Sequence, residues 1–256
     1  MARKEKKMGT VSKPRTVLVG GKAAPRVIQA LIIHGWTYTL EKYKKIAEIL
    51  NLKGLRTDVL RVPGLTDKID RVWSLEDYVN WLKSKIDKQK GKVVLIGHSN
   101  GGRIAAAYAS KYPQKLSHLT LIDSAGILHD EFHVKLRLLF FSYLAKIGKR
   151  VSSSAILKNL LYKMTGESDY NNATSEMKKT MTNLVKSDLT FWLDKISTPT
   201  SIIWGEKDRI TPLSDGKIIH KIIKNSKMHV IKGAKHSPHF THPEKVANII
   251  VKNLNK

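Results

Sequence analysis

The chain has no cysteine among its 256 residues. That absence excludes disulfides, thiolate zinc sites, iron–sulfur clusters and a cysteine nucleophile together. Long apolar runs are also missing. The most apolar stretch, Leu138 to Ala145, is far shorter than the roughly 20 residues a membrane-crossing helix needs. No apolar segment follows the basic start Met1-Ala-Arg-Lys-Glu-Lys-Lys, so no secretory leader is expected and the expected location is cytoplasmic. Acidic residues are scarce: 21 stand against 46 basic ones, giving a formal net charge of +25.

Of those 46 basic residues 36 are Lys and ten are Arg. Arg is the better bidentate reader of phosphates and bases. A Lys excess spread along the chain, with no cluster beside a nucleic-acid motif, points to a solvated basic surface. It predicts no specific nucleic-acid partner and only weak electrostatic contact with anionic membrane. Hydrophobic residues make up 41% and charged residues 26%, the mix of a packed globular chain rather than a disordered one.

Short apolar, β-branched runs recur at Thr16–Val19, Val27–Ile33, Thr57–Val62, Lys92–Ile96, Leu116–Ile122, Thr200–Trp204 and Met228–Ile231. The middle ones show little alternation, as parallel strands covered on both faces do. Helical stripes fall between them: Tyr43, Ile46, Ala47 and Leu50; then Tyr78, Trp81, Leu82 and Ile86; then Ile218, Ile219, Ile222 and Ile223; then Val246, Ile249, Ile250 and Leu254. The alternation predicts an α/β fold with helices on both faces of a parallel sheet. Residues 127–194 break it. No strand is expected there, and Leu136 to Ile147 is apolar on more than one helical face, Phe140 and Phe141 included. This predicts a helical cap inserted into a core of residues 13–126 and 195–256, behind a disordered basic tail at residues 1–12.

Gly97-His98-Ser99-Asn100-Gly101 follows an apolar strand and precedes a helix of small residues. This is the strand–turn–helix context that a G-x-S-x-G nucleophile elbow requires. A Ser on so tight a turn takes a strained conformation and presents its hydroxyl openly, and the helix start aims N–H groups at charge forming beside it. Ser is a weak nucleophile alone and needs a base held by an acid. Two loops at the carboxyl ends of later strands supply candidates: Gly205-Glu206-Lys207-Asp208 and Gly233-Ala234-Lys235-His236. Asp208 is the expected acid and His236 the expected base. Asp123, at the end of the strand before the cap, is the alternative acid, and Glu206 reads as a surface turn residue. The oxyanion hole is expected from the N–H groups of Asn100 and Trp36. His34, Gly35, His98, His239, Phe140 and Phe141 are the expected surroundings of the substrate, with His34 a structural hydrogen-bonder and His242 a helix-start residue. A metal site built from His236, His239 and His242 lacks a carboxylate at suitable spacing, so no metal is expected.

These motifs, with His34-Gly35-Trp36 and Val62-Pro63-Gly64, resemble the α/β-hydrolase superfamily over about Val27 to Leu254. The resemblance implies a mostly parallel eight-stranded sheet, a helical cap and a Ser–His–Asp triad. Ser at position 99 departs from the dehalogenase and epoxide-hydrolase branches, which place Asp there. No nicotinamide, flavin or pyridoxal motif is present, so no cofactor is expected. The function expected is that of a serine hydrolase, foremost a carboxylesterase acting on small-to-medium acyl esters. The alternatives are a C–C bond hydrolase of the same fold, and a binding protein with a silent triad.

Overall fold

A computed structural model describes residues 28–128 and 173–254. The expected basic tail, the strand Thr16–Val19, and the stretch Leu136 to Ile147 with Phe140 and Phe141 lie outside the described residues. Within them the chain forms one six-stranded sheet: β1 (Ile28–Ile33), β2 (Leu55–Val59), β3 (Val93–His98), β4 (Leu116–Ile122), β5 (Thr200–Gly205) and β6 (Ser226–Ile231). The order is β2-β1-β3-β4-β5-β6, and every pairing is parallel.

The sequence pattern explains which strands sit centrally. β3 and β5 are buried at every position, and these are the runs that lack alternation. β2 and β6 lie at the edges and keep exposed positions. Several boundaries differ from the apolar runs, most at β2, β3 and β6. β2 begins at Leu55 and ends at Val59, because Leu60 N still bonds Ile32 O but Val62 already opens a turn through Gly64, whose φ is +81°. β6 starts at Ser226 rather than Met228, since an edge strand has no apolar requirement on its outer face.

Helices cover both faces, each by its own stripe. α1 (Glu41–Leu52) buries Tyr43, Ile46, Ala47, Ile49 and Leu50. With α8 (Pro243–Leu254), which buries Val246, Ala247 and Ile250, it packs on one face of the sheet. α2 (Leu75–Ile86), α3 (Asn100–Lys111) and α6 (Leu213–Ile222) cover the other. The short α7 (Pro238–Thr241) leads directly into α8. α2 is started by a capping box, in which Ser74 and Asp77 satisfy each other's backbone N–H groups. Among the described residues no helix is long and apolar enough to cross a membrane.

The described end of the expected cap holds α4 (Ser175–Val185) and the short α5 (Thr190–Leu193), and no strand. Two polar contacts fasten α4 to the core. Trp73 N donates to Thr180 Oγ1 at 2.8 Å. The buried Arg103 guanidinium, on α3, donates to the Leu184 carbonyl near the C-terminus of α4, where the helix dipole favours a cation. Burial lowers the Arg103 pKa to about 10.

Candidate active site

The parallel order puts the carboxyl ends of β1, β3, β4, β5 and β6 along one edge. Every triad candidate read from the sequence sits there. At the end of β3 the chain turns into α3 within one residue. Gly97 and Gly101 permit the turn: a Cβ on Gly97 would lie 2.6 Å from the Gly101 carbonyl oxygen, and one on Gly101 2.2 Å from the Ile33 oxygen. Ser99 is left at φ 52° and ψ −120° at the N-cap of α3. Its backbone is held by Ile122 O, which accepts from Ser99 N at 3.0 Å, and by Ala125 N, which donates to Ser99 O at 3.0 Å.

Among the described residues, three non-glycine residues have positive φ: Ser99 (52°), Asp123 (41°) and Ser237 (92°). Such backbone costs on the order of 1–3 kcal/mol per residue and persists only where its surroundings enforce it. All three fall at this edge: one in the elbow, one at the end of β4, and one directly after His236.

His236 lies between two carboxylates. Its Nδ1 donates to Asp208 Oδ2 at 2.8 Å, while Asp123 Oδ2 stands 4.0 Å away. Asp208 is thus the hydrogen-bonded partner. Its Oδ1 accepts from Ile210 N at 2.8 Å and Thr211 N at 3.2 Å, and its Oδ2 accepts from Thr211 Oγ1 at 2.8 Å. Asp123 is fully buried and holds two loops: Oδ1 accepts from Gly205 N at 2.8 Å and Oδ2 from Ser237 N at 2.7 Å. Burial, then the charge of Asp208, raises its pKa to about 7. Glu206 is exposed, as expected, and its Oε2 accepts from Gly233 N at 2.8 Å.

The loop after β1 rests against the elbow, since a Cβ on Gly35 would lie 3.0 Å from Ser99 Cβ. Among the described residues neither Trp36 N nor Asn100 N has a hydrogen-bond acceptor. Gly35 N is taken by Tyr43 Oη at 3.0 Å. The Tyr43 hydroxyl is also hydrogen-bonded to His98 Nδ1 at 2.8 Å, and His98 Nε2 to Ser237 Oγ at 3.1 Å. This chain of contacts ties the loop of β1, the elbow and the His236 loop together.

The other histidines stand behind the site. His34 Nδ1 donates to Gly35 O at 2.8 Å and Nε2 accepts from Thr66 Oγ1 at 2.8 Å. Burial, against the opposing effect of the Gly35 carbonyl, lowers its pKa to about 4. Burial also holds His98 well below the usual imidazole range, and lowers His239 to about 3. The His239 ring packs against Phe240, His98 and Tyr43, and among the described residues neither ring nitrogen has a hydrogen-bond partner. His242 precedes α8 and pairs with Thr241. Donor atoms of His98, Asp123 and His236 converge within 4.8 Å, a different set from the His236, His239 and His242 trio. Each of the three already has a hydrogen-bond partner.

Among the described residues no hydrogen bond joins Ser99 Oγ to His236. An open cleft of about 700 Å³ borders Asp208 and His236, lined also by Glu206, Lys207, Arg209, Ile210 and Lys235.

Known proteins share this sequence pattern and this fold. The profile of the Alpha/beta hydrolase family matches residues 30–249. Mouse "Monoacylglycerol lipase ABHD6" is 25% identical over 265 residues, covering 86% of this chain and 74% of the mouse protein. "Biotin biosynthesis bifunctional protein BioHC" of Teredinibacter turnerae is 24% identical over 250 residues; the match covers 86% of this chain but only 43% of that longer protein. Among solved structures, the bromoperoxidase from Bacillus anthracis aligns with TM-score 0.70 at 21% identity, over 90% of this chain and 92% of the other. That likeness is one of fold.

Proposed function

Because the chain belongs to the Alpha/beta hydrolase family, we propose that it is a serine hydrolase of carboxylic esters. The observation that carries the reading is the 2.8 Å bond from His236 Nδ1 to Asp208, set beside a serine held at φ 52° on a helix N-terminus. Ser99 Oγ attacks the acyl carbonyl carbon while His236 Nε2 takes its proton. Asp208 keeps the imidazole in the Nδ1–H tautomer and stabilises the imidazolium. The N–H groups of Trp36 and Asn100 bind the oxyanion. Collapse of the tetrahedral adduct expels the alcohol, which receives the proton from His236. Water, deprotonated in turn by His236, attacks the acyl-enzyme, and the acid is freed as His236 returns the proton to Ser99 Oγ. The lipase name of the mouse relative supports an ester substrate.

The apolar sequence from Leu136 to Ile147 and the buried Trp36 favour an acyl pocket under a cap. Each CH₂ buried is worth about 0.8 kcal/mol, about fourfold in kcat/KM per carbon. A closed pocket of about 300–1,000 Å³ then runs out of room. Initial rates on p-nitrophenyl esters of two to sixteen carbons should peak at about four to eight. A peak at sixteen with activation by emulsified triglyceride rejects the capped pocket. No turnover on any ester, with Ser99 still labelled by a fluorophosphonate, favours the C–C hydrolase alternative.

The basic surface predicts a second, weaker behaviour. Lys207, Arg209 and Lys235 rim the cleft beside His236, and exposed charges are screened over about 8 Å at physiological ionic strength. Co-sedimentation with anionic phospholipid vesicles should therefore occur at low salt and fade by physiological salt. Binding that survives higher salt contradicts a merely electrostatic contact.

A further inference from the structure

Asp123, the alternative acid of the sequence reading, is built into the site at several points. It takes a strained φ of 41° with no glycine to ease it. What that conformation achieves is visible in its bonds. One carboxylate oxygen accepts from Gly205 N, at the root of the loop that carries Asp208, and the other from Ser237 N, beside His236. The same Oδ2 stands 4.0 Å from His236 Nδ1. Its own carbonyl oxygen lies 3.1 Å from Thr211 Oγ1, whose single proton is within reach of either that carbonyl or Asp208 Oδ2 at 2.8 Å. Two carboxylates, from the chain segments that follow β4 and β5, therefore face one imidazole nitrogen.

We propose that Asp123 is a second carboxylate for His236: a positioning residue that supports the imidazolium alongside Asp208 and takes over Nδ1 when the Asp208 side chain is removed. The inference rests on the serine-hydrolase reading of the site. An opposite charge within about 4–6 Å favours the charged form of an ionisable group. At 4.0 Å the Asp123 carboxylate meets that condition, and its buried setting gives the attraction little screening. The attraction is mutual, so a proton arriving on His236 draws Asp123 toward its ionised form. A rotation of the imidazole or a shift of the loop of about 1 Å converts the contact into a hydrogen bond. The other groups facing this nitrogen and its ring are Asp208 and Thr211 from the loop after β5, His98 from β3, and His239 from α7. His98 and His239 are held neutral by burial, so the two aspartates are the acidic groups at the ring.

The two roles of Asp208 can be separated by choice of variant. Asp208→Asn keeps acceptors for Ile210 N and Thr211 N but presents an amide to Nδ1 and imposes the wrong tautomer. Asp208→Ala leaves Nδ1–H free to turn to Asp123. The truncation should therefore be the milder change, with kcat at least tenfold above that of Asp208→Asn. Adding Asp123→Asn to Asp208→Ala should remove that advantage, and cost at least tenfold more than Asp123→Asn costs in the wild type. In the otherwise wild-type protein, Asp123→Asn deletes a negative charge that favours imidazolium, so the acid limb of the kcat/KM profile should move to lower pH.

Thermal melts accompany each variant. If Asp208→Ala fails to fold, Asp208→Ser restores a hydroxyl near the Ile210 and Thr211 amides and answers the same question. Additive effects of the two aspartates within about twofold, an unmoved acid limb, or Asp208→Ala at or below Asp208→Asn each overturn the proposal. An active wild type with these outcomes leaves the triad standing without Asp123. A wild type in which Ser99 takes no fluorophosphonate and hydrolyses no ester defeats the underlying reading instead.

Discussion

Ser99→Ala should lower kcat by on the order of 10⁶ while leaving the fold intact. The size follows from how a triad works: its members act as a unit, and removing the nucleophile alone costs about as much as removing all of them. What remains comes from the oxyanion donors and from binding. The fold should survive because Ser99 is held through its backbone, by Ile122 O and Ala125 N, rather than through its hydroxyl. Its φ of 52° is imposed by the surrounding turn and not by the side chain. Steady-state rates on the best p-nitrophenyl ester, beside a melting curve, check both halves. Activity of a few per cent in the purified variant contradicts the assignment of Ser99 as nucleophile. A collapsed melting temperature makes the loss structural, which contradicts the second half.

The second large effect is expected at Asp208. Asp208→Asn should cost on the order of 10⁴ in kcat, because the amide favours the imidazole tautomer that cannot accept the Ser99 proton. Asp123→Asn in the same assay should cost far less, since Asp123 stands 4.0 Å from Nδ1 and Asp208 is hydrogen-bonded to it at 2.8 Å. The two variants separate the two carboxylates that the sequence offered as acids. A larger loss at Asp123 places the acid at the end of β4 and reverses the roles of the two carboxylates. Asp208→Asn should change stability little, because Asn can still accept from Ile210 N and Thr211 N. A loss of stability that parallels the loss of rate contradicts the tautomer argument.

Much of this arrangement is legible in the sequence, because its signals are local. β1, β3, β4 and β5 show themselves as apolar runs since both faces of each are covered. The elbow is legible because a strand can turn into a helix within one residue only with glycines at 97 and 101, where a Cβ would strike backbone. Asp208 and His236 are legible because each follows a strand end at the same sheet edge. What is hidden depends on approach between distant segments. The Tyr43–His98–Ser237 chain joins residues from α1, β3 and the loop after β6. Tyr43 is indistinguishable in sequence from its stripe neighbours Ile46 and Leu50, and only its hydroxyl sets it apart. Arg103 sits in an otherwise small-residue helix, and its acceptor is a backbone carbonyl 81 residues away. No side-chain pattern marks such a partner. The bonds of Asp123 to Gly205 N and Ser237 N are of the same kind, so the residue that the sequence offers as an alternative acid is found also to hold two loops.

Whether His236 turns Ser99 into a nucleophile can be decided by covalent labelling. The wild type is treated with a fluorophosphonate, digested and read by mass spectrometry, with His236→Ala and Ser99→Ala in parallel. One adduct should appear on the peptide carrying Ser99, formed many times more slowly in His236→Ala and absent in Ser99→Ala. An unlabelled Ser99 in a folded wild type, or labelling that proceeds equally fast without His236, contradicts a nucleophile activated by that imidazole.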